Sequence, residues 1–364
     1  MNTSNIKFSR KDQKKFFRTL NSRVNSYFRD NNIKRTGNWQ LWIKTIIMFL
    51  IFLVPYFLIL TLELPGWAQL LFTVVMGIGM AGVGMNVMHD GNHGSFSSKP
   101  WVNNLMGSSI YILAGNVYNW KVQHNVLHHT YTNVHGHDED LDAGRILRFT
   151  KHAQWRWYHK FQHYYSVLLY GLLTINWAIT TDFLQMKRYM KRQLAYGKLP
   201  SATKNWSTLV ISKIIYLSMW ILIPMLILDM AWWKILLGFF IMHYTAGLIL
   251  SIIFQLAHVM DDAEMPIPDE NGTLKNTWAI HQLKTTINFS PKNKLINWFT
   301  GGLNHQVEHH IFPNISHIHY GKIAEIVKKT AQEFNLPYNE YKTTRKAIIA
   351  HFRYLKNMGV KPAL

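Results

Sequence analysis

Four stretches of this chain are long and apolar enough to cross a lipid bilayer: 45–62, 64–88, 209–228 and 235–255. Across their combined length Lys213 is the single Lys, Arg, Asp or Glu, and it lies near one end of its run, where its ammonium is expected to snorkel outward. A helix needs about 20 apolar residues to span the roughly 30 Å hydrocarbon layer. Within that layer only helices and closed barrels satisfy their own backbone, so runs of this length predict helices. The breaks at Glu63/Pro65/Gly66 and at Asp229/Met230 are short, which predicts two hairpins, each returning to its starting side. The expected fold class is thus all-α integral membrane, with four transmembrane helices in two hairpins and a helical cap built from the polar remainder.

A net charge of +20 over 364 residues invites a nucleic-acid reading, because phosphate contacts are made by Lys and Arg. The placement of the charge argues otherwise. The connections within the hairpins hold Glu63 and Asp229 and, apart from Lys234, no basic residue, whereas the first 44 residues, the segment 89–206 and everything after His258 hold nearly all the Lys and Arg. That is the positive-inside pattern. It predicts a multi-pass protein whose termini and polar segments are cytoplasmic, with no nucleic-acid partner. Residues 1–44 form a basic arm without an apolar core, so the first span is expected to direct targeting. Residues 45–320 are expected to be the membrane catalytic domain and 321–364 a cytoplasmic helical tail, in which Ile323, Ile326, Val327 and Ala331 recur at helical spacing. Two weaker apolar stretches, 105–114 and 167–179, are expected to be interfacial or cap-buried helices.

The chain has no cysteine, which excludes disulfides, thiolate metal sites and cysteine nucleophiles, but it has 19 histidines. Three clusters carry the argument: His89 and His93, then His124, His128 and His129, then His305, His309 and His310. In each, two imidazoles stand four residues apart, which on a helix puts them on one face. His258 ends the fourth run as His89 follows the second. A lone histidine is usually a hydrogen-bonded structural residue. Three paired clusters expected at one membrane face point instead to metal. Seven or more imidazoles exceed the three or four protein ligands of one zinc and imply two metals with positions left open. No Glu is followed three residues later by His, so the site is not the carboxylate-rich kind found in soluble di-iron bundles.

Carboxylates that take the second imidazole proton normally accompany such ligands. Asp90, Asp138, Asp140, Asp142, Asp261 and Glu308 are the candidates, with 138–142 equally readable as a solvated acidic turn. His135, His137, His317 and His319 lack the paired spacing and read as structural. His243, inside the fourth span, is either functional or hydrogen-bonded to a neighbouring helix. Gly77, Gly79, Gly82 and Gly84 on the second span serve either close helix packing or close approach of a ligand chain.

These boxes, their spacing and the four spans resemble the membrane fatty acid desaturases over about residues 40–320. The segment 301–313, with its Gln306-Val-Glu-His309-His310 box, is similar to the acyl-lipid, front-end branch. The resemblance implies two iron ions as cofactor and O2 as co-substrate, held in the cap by His89, His93, His124, His128, His129, His258, His309 and His310, with no catalytic residue separate from the ligands. Asp90, Asp142, Asp261 and Glu308 would orient them. Gln306 stands where other branches carry histidine, whereas spacing places His305 one turn from His309. The implied reaction inserts a double bond into a long acyl chain carried by a lipid or coenzyme A. No His-Pro-Gly-Gly haem motif of a fused cytochrome b5 occurs, so electrons are expected from a separate ferredoxin or cytochrome b5 docking on the basic cap. A related membrane hydroxylase is the alternative enzyme. A histidine-rich metal transporter is disfavoured because three of the four runs lack ionisable residues at their centres.

Overall fold

The computed structural model describes residues 6–9, 14–141 and 143–362. Apart from two parallel strand pairs, Lys7–Phe8 with Thr273–Leu274 and Asn288–Phe289 with Glu340–Tyr341, its regular structure is helical. The chain divides into two compact units, each discontinuous in sequence: Asn38–Val122 with Val167–Ile252, and Met1–Gly37 with Gln123–Ser166 and Ile253–Leu364.

Among the described residues four helices are long and apolar enough to cross a membrane: Trp39–Thr61, Gly66–His93, Ala202–Ile227 and Trp232–His258. Each covers nearly all of one predicted run, to within two residues, and extends past at least one end of it, because a helix does not end where apolar character ends. The first starts at Trp39, where the Asn38 side chain accepts a hydrogen bond from the Gln40 N–H at 2.9 Å. The second continues beyond Met88 through His89 and His93. The stretch 167–179 falls within a bent helical pair, Trp157–Tyr170 and Leu173–Lys191, broken by 66°.

In the first unit the glycines settle into packing. A Cβ on Gly79 would meet Phe52 N at 2.5 Å, one on Gly77 would meet Met242 O at 2.6 Å, and one on Gly82 would strike the Met48 sulfur. The second span therefore touches its neighbours almost backbone to backbone. Lys213 does not snorkel. It is buried and donates to Asp182 at 2.6 Å, to Trp177 O at 2.8 Å and to Ala114 O, since a carboxylate on the adjoining helix is nearer than water. His243 is likewise structural, 2.6 Å from Tyr216 OH and 2.9 Å from Thr174 Oγ1.

The second unit has its own apolar core. Helix Lys14–Asp30 supplies Phe16, Leu20 and Val24, helix Trp278–Thr285 supplies Leu283, and helix Tyr320–Glu333 supplies Ile323 and Val327. Arg23 joins the first of these helices to the last, donating to Thr330 at 3.0 Å and to Glu333 at 2.7 Å. The final helix, Thr344–Met358, is clamped by buried polar groups. Arg148 donates to Met358 O at 2.7 Å, Gln162 to Leu355 O at 2.7 Å, Tyr354 to Phe149 O, and His351 Nδ1 to Val259 O at 2.9 Å, one residue beyond His258.

Candidate metal centre

The second unit gathers six of the predicted ligands. His124, His128 and His129 lie on one continuous helical stretch, of which Lys121–His128 is π-helical. A π-helix closes i→i+5 hydrogen bonds and so takes roughly four to five residues per turn. The residue five along then shares a face with the one four along, whereas an α-helix turns the residue five along away from that face. His124 accordingly meets both partners, with ring centroids 5.2 Å from His128 and 4.8 Å from His129.

The third box folds differently from its spacing. Gly302, at φ +68°, turns the chain so that the His305 N–H reaches Gly302 O at 2.8 Å, and a Cβ there would press on His317 and Tyr320. The short helix Gln306–Ile311 starts after that turn, leaving His305 as its cap. The in-helix pair four apart is thus Gln306 and His310. The Gln306 amide nitrogen lies 2.9 Å from His258 Nε2 and 3.3 Å from His310 Nε2, whereas His305 is turned toward Glu308, its Nδ1 3.7 Å from the carboxylate.

The six imidazoles form two groups. The Nε2 of His129 lies 3.3 Å from that of His124 and 3.0 Å from that of His309. The rings of His128, His258 and His310 stand within 4.9 Å of one another, centroid to centroid. Each of these two triads is deeply buried. Behind them, acceptors fix the far nitrogens: Asp140 takes His124 Nδ1 at 2.9 Å, Asp138 takes His128 Nδ1 at 2.9 Å, Gln282 Oε1 takes His310 Nδ1 at 2.9 Å, and Tyr320 OH takes His309 Nδ1 at 3.2 Å. With their Nδ1 protons so engaged, these rings turn the lone pairs of Nε2 inward.

Electrostatics agrees with that assignment. Burial, reinforced by the neighbouring His128, holds the His124 imidazole well below the usual 6.5, so it is a neutral donor at physiological pH. Burial also opposes charge on His128, but the Asp138 and Asp140 carboxylates outweigh it and raise its pKa. The acidic turn is therefore no solvated loop: Asp138 is buried and also accepts the Asn133 N–H at 2.8 Å.

His89 and His93 belong to the first unit, at the end of the second span, with ring centroids 4.6 Å apart and the Trp120 indole set edge-on to both. Asp90 between them is buried and interacts electrostatically with Lys44. Asp261 is solvent-exposed beside Asp262 and Arg353, not among the histidines. Glu308 is buried but accepts from Asn288 at 2.8 Å and Tyr338 at 3.0 Å, so it braces the tail. Asp142 lies outside the described residues. His135, His137, His317 and His319 enter no ligand group among those residues.

Sequence reasoning missed Gln282 and Tyr320. Gln282 Oε1 also lies 2.8 Å from Thr132 Oγ1, and its amide donates to His129 O at 3.1 Å, tying both triads to helix Trp278–Thr285. No spacing marks either residue, because each reaches its histidine through tertiary contact.

The donor set fits a metal. Inward lone pairs on facing imidazoles about 3 Å apart repel unless a cation lies among them. Among the described residues His128 Nε2, fully buried, has no hydrogen-bond partner, and neither does Gln306 Oε1. Such orphaned buried acceptors are costly unless something binds them.

A family model described as fatty acid desaturase matches residues 65–342. The chain is 37% identical over 348 residues to the sn-1 linoleoyl-lipid 6-desaturase of Arthrospira platensis, covering 95% of this chain and 93% of that one. It is 34% identical to the enzyme of the same name from Synechocystis, covering 97% and 98%. It is 32% identical to the acyl-lipid (8-3)-desaturase of Physcomitrium patens, covering 98% of this chain and 74% of the relative. With six imidazoles in two buried groups, four of them held at Nδ1 by neighbouring acceptors, and a likeness running almost end to end, the chain belongs to the membrane fatty acid desaturase family.

Proposed function

We propose that this membrane desaturase places a double bond on the carboxyl side of a linoleoyl chain still esterified to a lipid, at position 6, using two irons held by its histidines. Fatty acyl desaturation follows from the family, and the lipid-bound substrate and the position follow the names of the two relatives that match nearly full length. The observation that carries the metal assignment is the pair of imidazole triads with their Nδ1 protons held by Asp138, Asp140, Gln282 and Tyr320.

We assign His124, His129 and His309 to one metal and His128, His258 and His310 to the other. His89 and His93 are added on their four-residue spacing and on the family resemblance. Bound there, iron would supply the O2-dependent oxidising power that removal of hydrogen from an unactivated methylene requires and that no side chain possesses. The protein's share is to keep neutral imidazoles pointing inward, to hold them against rotation, and to exclude bulk water from a site where His128, His258, His309 and His310 have no measurable exposure. Gln306 presents its amide where a histidine would add a further nitrogen. It supplies a hydrogen-bonding group to His258 and His310 and no imidazole.

Electrons are assigned to a separate carrier of the ferredoxin or cytochrome b5 type, drawn to the positive charge of the cap. The positive-inside pattern supports termini and histidines on the cytoplasmic side.

The test is expression in a host whose lipids contain linoleoyl chains and no triene, with fatty acid methyl esters compared by mass spectrometry against His309→Ala. A new octadecatrienoyl species with a double bond at carbon 6, absent from the variant, is expected. A hydroxylated product would replace desaturation by hydroxylation, a double bond elsewhere would overturn the position, and purified active protein lacking iron would end the metal assignment.

A further inference from the structure

Within the first unit a cavity of about 510 Å3 opens where the spans meet the 62–65 and 228–231 connections. Its walls are mainly apolar, with Leu60, Leu70, Met76, Leu237 and Met242 among them, and Leu70 and Leu237 are each about half exposed, so the space communicates with the surroundings. Its size falls in the range of roughly 300–1,000 Å3 usual for small-molecule sites.

The cavity is not a continuation of the site occupied by the histidines of this unit. Gly66 lies on its rim, and His89 stands on the same helix roughly 35 Å farther along at 1.5 Å per residue. Between them the bundle is closed. Gly77 meets the Met242 carbonyl, Gly79 meets the Phe52 backbone, the Trp220 ring stacks on Phe52 at 4.9 Å, and Tyr216 is bonded to His243. No acyl chain passes through backbone contacts of that kind.

The setting identifies the occupant. Trp67, Trp232 and Trp233 are exposed at this end of the spans, as aromatic side chains are at the level of lipid headgroups. An apolar cavity at that depth does not hold water well but does accept a hydrocarbon chain. Two charged side chains line its mouth, Asp229 and Lys234, both exposed. Lys234 carries its ammonium over the Trp233 ring, 5.7 Å from the centroid, and among the described residues makes no ion pair with Asp229. One cation and one anion at the headgroup level, not paired with each other among the described residues, match a head that itself carries a phosphate and an ammonium. A glycerol head would satisfy Lys234 with its phosphate but offer Asp229 only neutral hydroxyls, with no cation to meet its charge.

We infer that this cavity is a binding site for one zwitterionic phospholipid of the ethanolamine class, its acyl chain between the spans, its phosphate at Lys234 and its amine at Asp229. It is a site separate from the one where desaturation takes place, and this lipid is held without being a substrate.

The experiment is native mass spectrometry of the full-length protein released from mixed micelles holding equal phosphatidylethanolamine and phosphatidylglycerol, after washing in lipid-free detergent. Wild type should retain one phospholipid, mostly phosphatidylethanolamine. Gly238→Trp, which fills the cavity from its wall, should lose it while desaturation in membranes persists. The exposed pair Asp229→Asn and Lys234→Met should still fold and retain lipid but lose the preference for ethanolamine. Failure of wild type to retain lipid would overturn the proposal, as would undiminished retention by folded Gly238→Trp. An unchanged headgroup preference in the paired variant would overturn the ethanolamine assignment even if Gly238→Trp did not fold.

Discussion

The sharpest test of the metal centre is Asp138→Asn. One Asp138 oxygen accepts His128 Nδ1 at 2.9 Å and the Asn133 N–H at 2.8 Å, and the other accepts the Asp140 N–H at 3.1 Å. An asparagine of the same shape has one acceptor oxygen. If that oxygen serves His128, the new NH2 confronts the Asp140 N–H; if the amide is reversed, it confronts His128. Either way a hydrogen bond to a charged group is lost from a buried site, at a cost of about 1.5–3 kcal/mol. At about 1.4 kcal/mol per decade this predicts iron binding weakened by about 10- to 100-fold, the usual penalty for removing a carboxylate behind a ligand histidine. The assay is iron stoichiometry of purified protein against a graded chelator, with the exposed Asp261→Asn as control and the double variant Asp138→Asn, His128→Ala to isolate the pair. If Asp138→Asn held iron as firmly as wild type, or added its full penalty where His128 was already gone, the orienting role would be refuted.

Other substitutions probe separate features. His305→Phe should leave iron content unchanged, since its imidazole turns toward Glu308, whereas Gln306→Leu, beside His258 and His310, should lower turnover in the same preparation; metal analysis with single-turnover product yield checks both. His351 is buried on the Val259 carbonyl, and desolvation lowers its pKa to about 4. Its unfolded form gains a proton below pH 6.5 that the folded form refuses until about pH 4, so stability falls as pH drops through that window, by about 3 kcal/mol for this group. Thermal unfolding at pH 7 and pH 5 should show a smaller loss in His351→Gln than in wild type. Gly79→Leu would drive a side chain into the Phe52 backbone and should destabilise by about 1–3 kcal/mol or more, read as a lower unfolding midpoint in detergent.

How far the sequence could be read follows the range of each interaction. The spans were legible because their apolar runs exceed anything a soluble core requires, although their ends were not, since caps such as Asn38 and extensions such as 89–93 obey local backbone chemistry. The histidines that cluster were legible by type and spacing. Their grouping was not, because the π-helical winding of Lys121–His128 and the start of the last box at Gln306 both alter which residues share a face. Asp138 and Asp140 were visible beside the second box, within the same stretch of chain as their partners, whereas Gln282 and Tyr320 act from elsewhere in the sequence. Lys213 misled for the same reason: the Asp182 carboxylate that holds it comes from another segment.

The clamp on the final helix has a consequence for biogenesis. The unit holding both triads is assembled from three separate stretches, and its closing contacts, from Arg148 to Met358 O and from Gln162 to Leu355 O, wait until helix Thr344–Met358 has been made. All four spans are complete by His258 and can enter the bilayer while synthesis continues. A ribosome stalled near residue 340 would therefore leave a chain anchored in the membrane with every proposed ligand already made and the final helix still missing from their unit. Removal of helix Thr344–Met358 should therefore yield membrane-inserted, iron-poor protein, read by metal analysis of the purified membrane fraction.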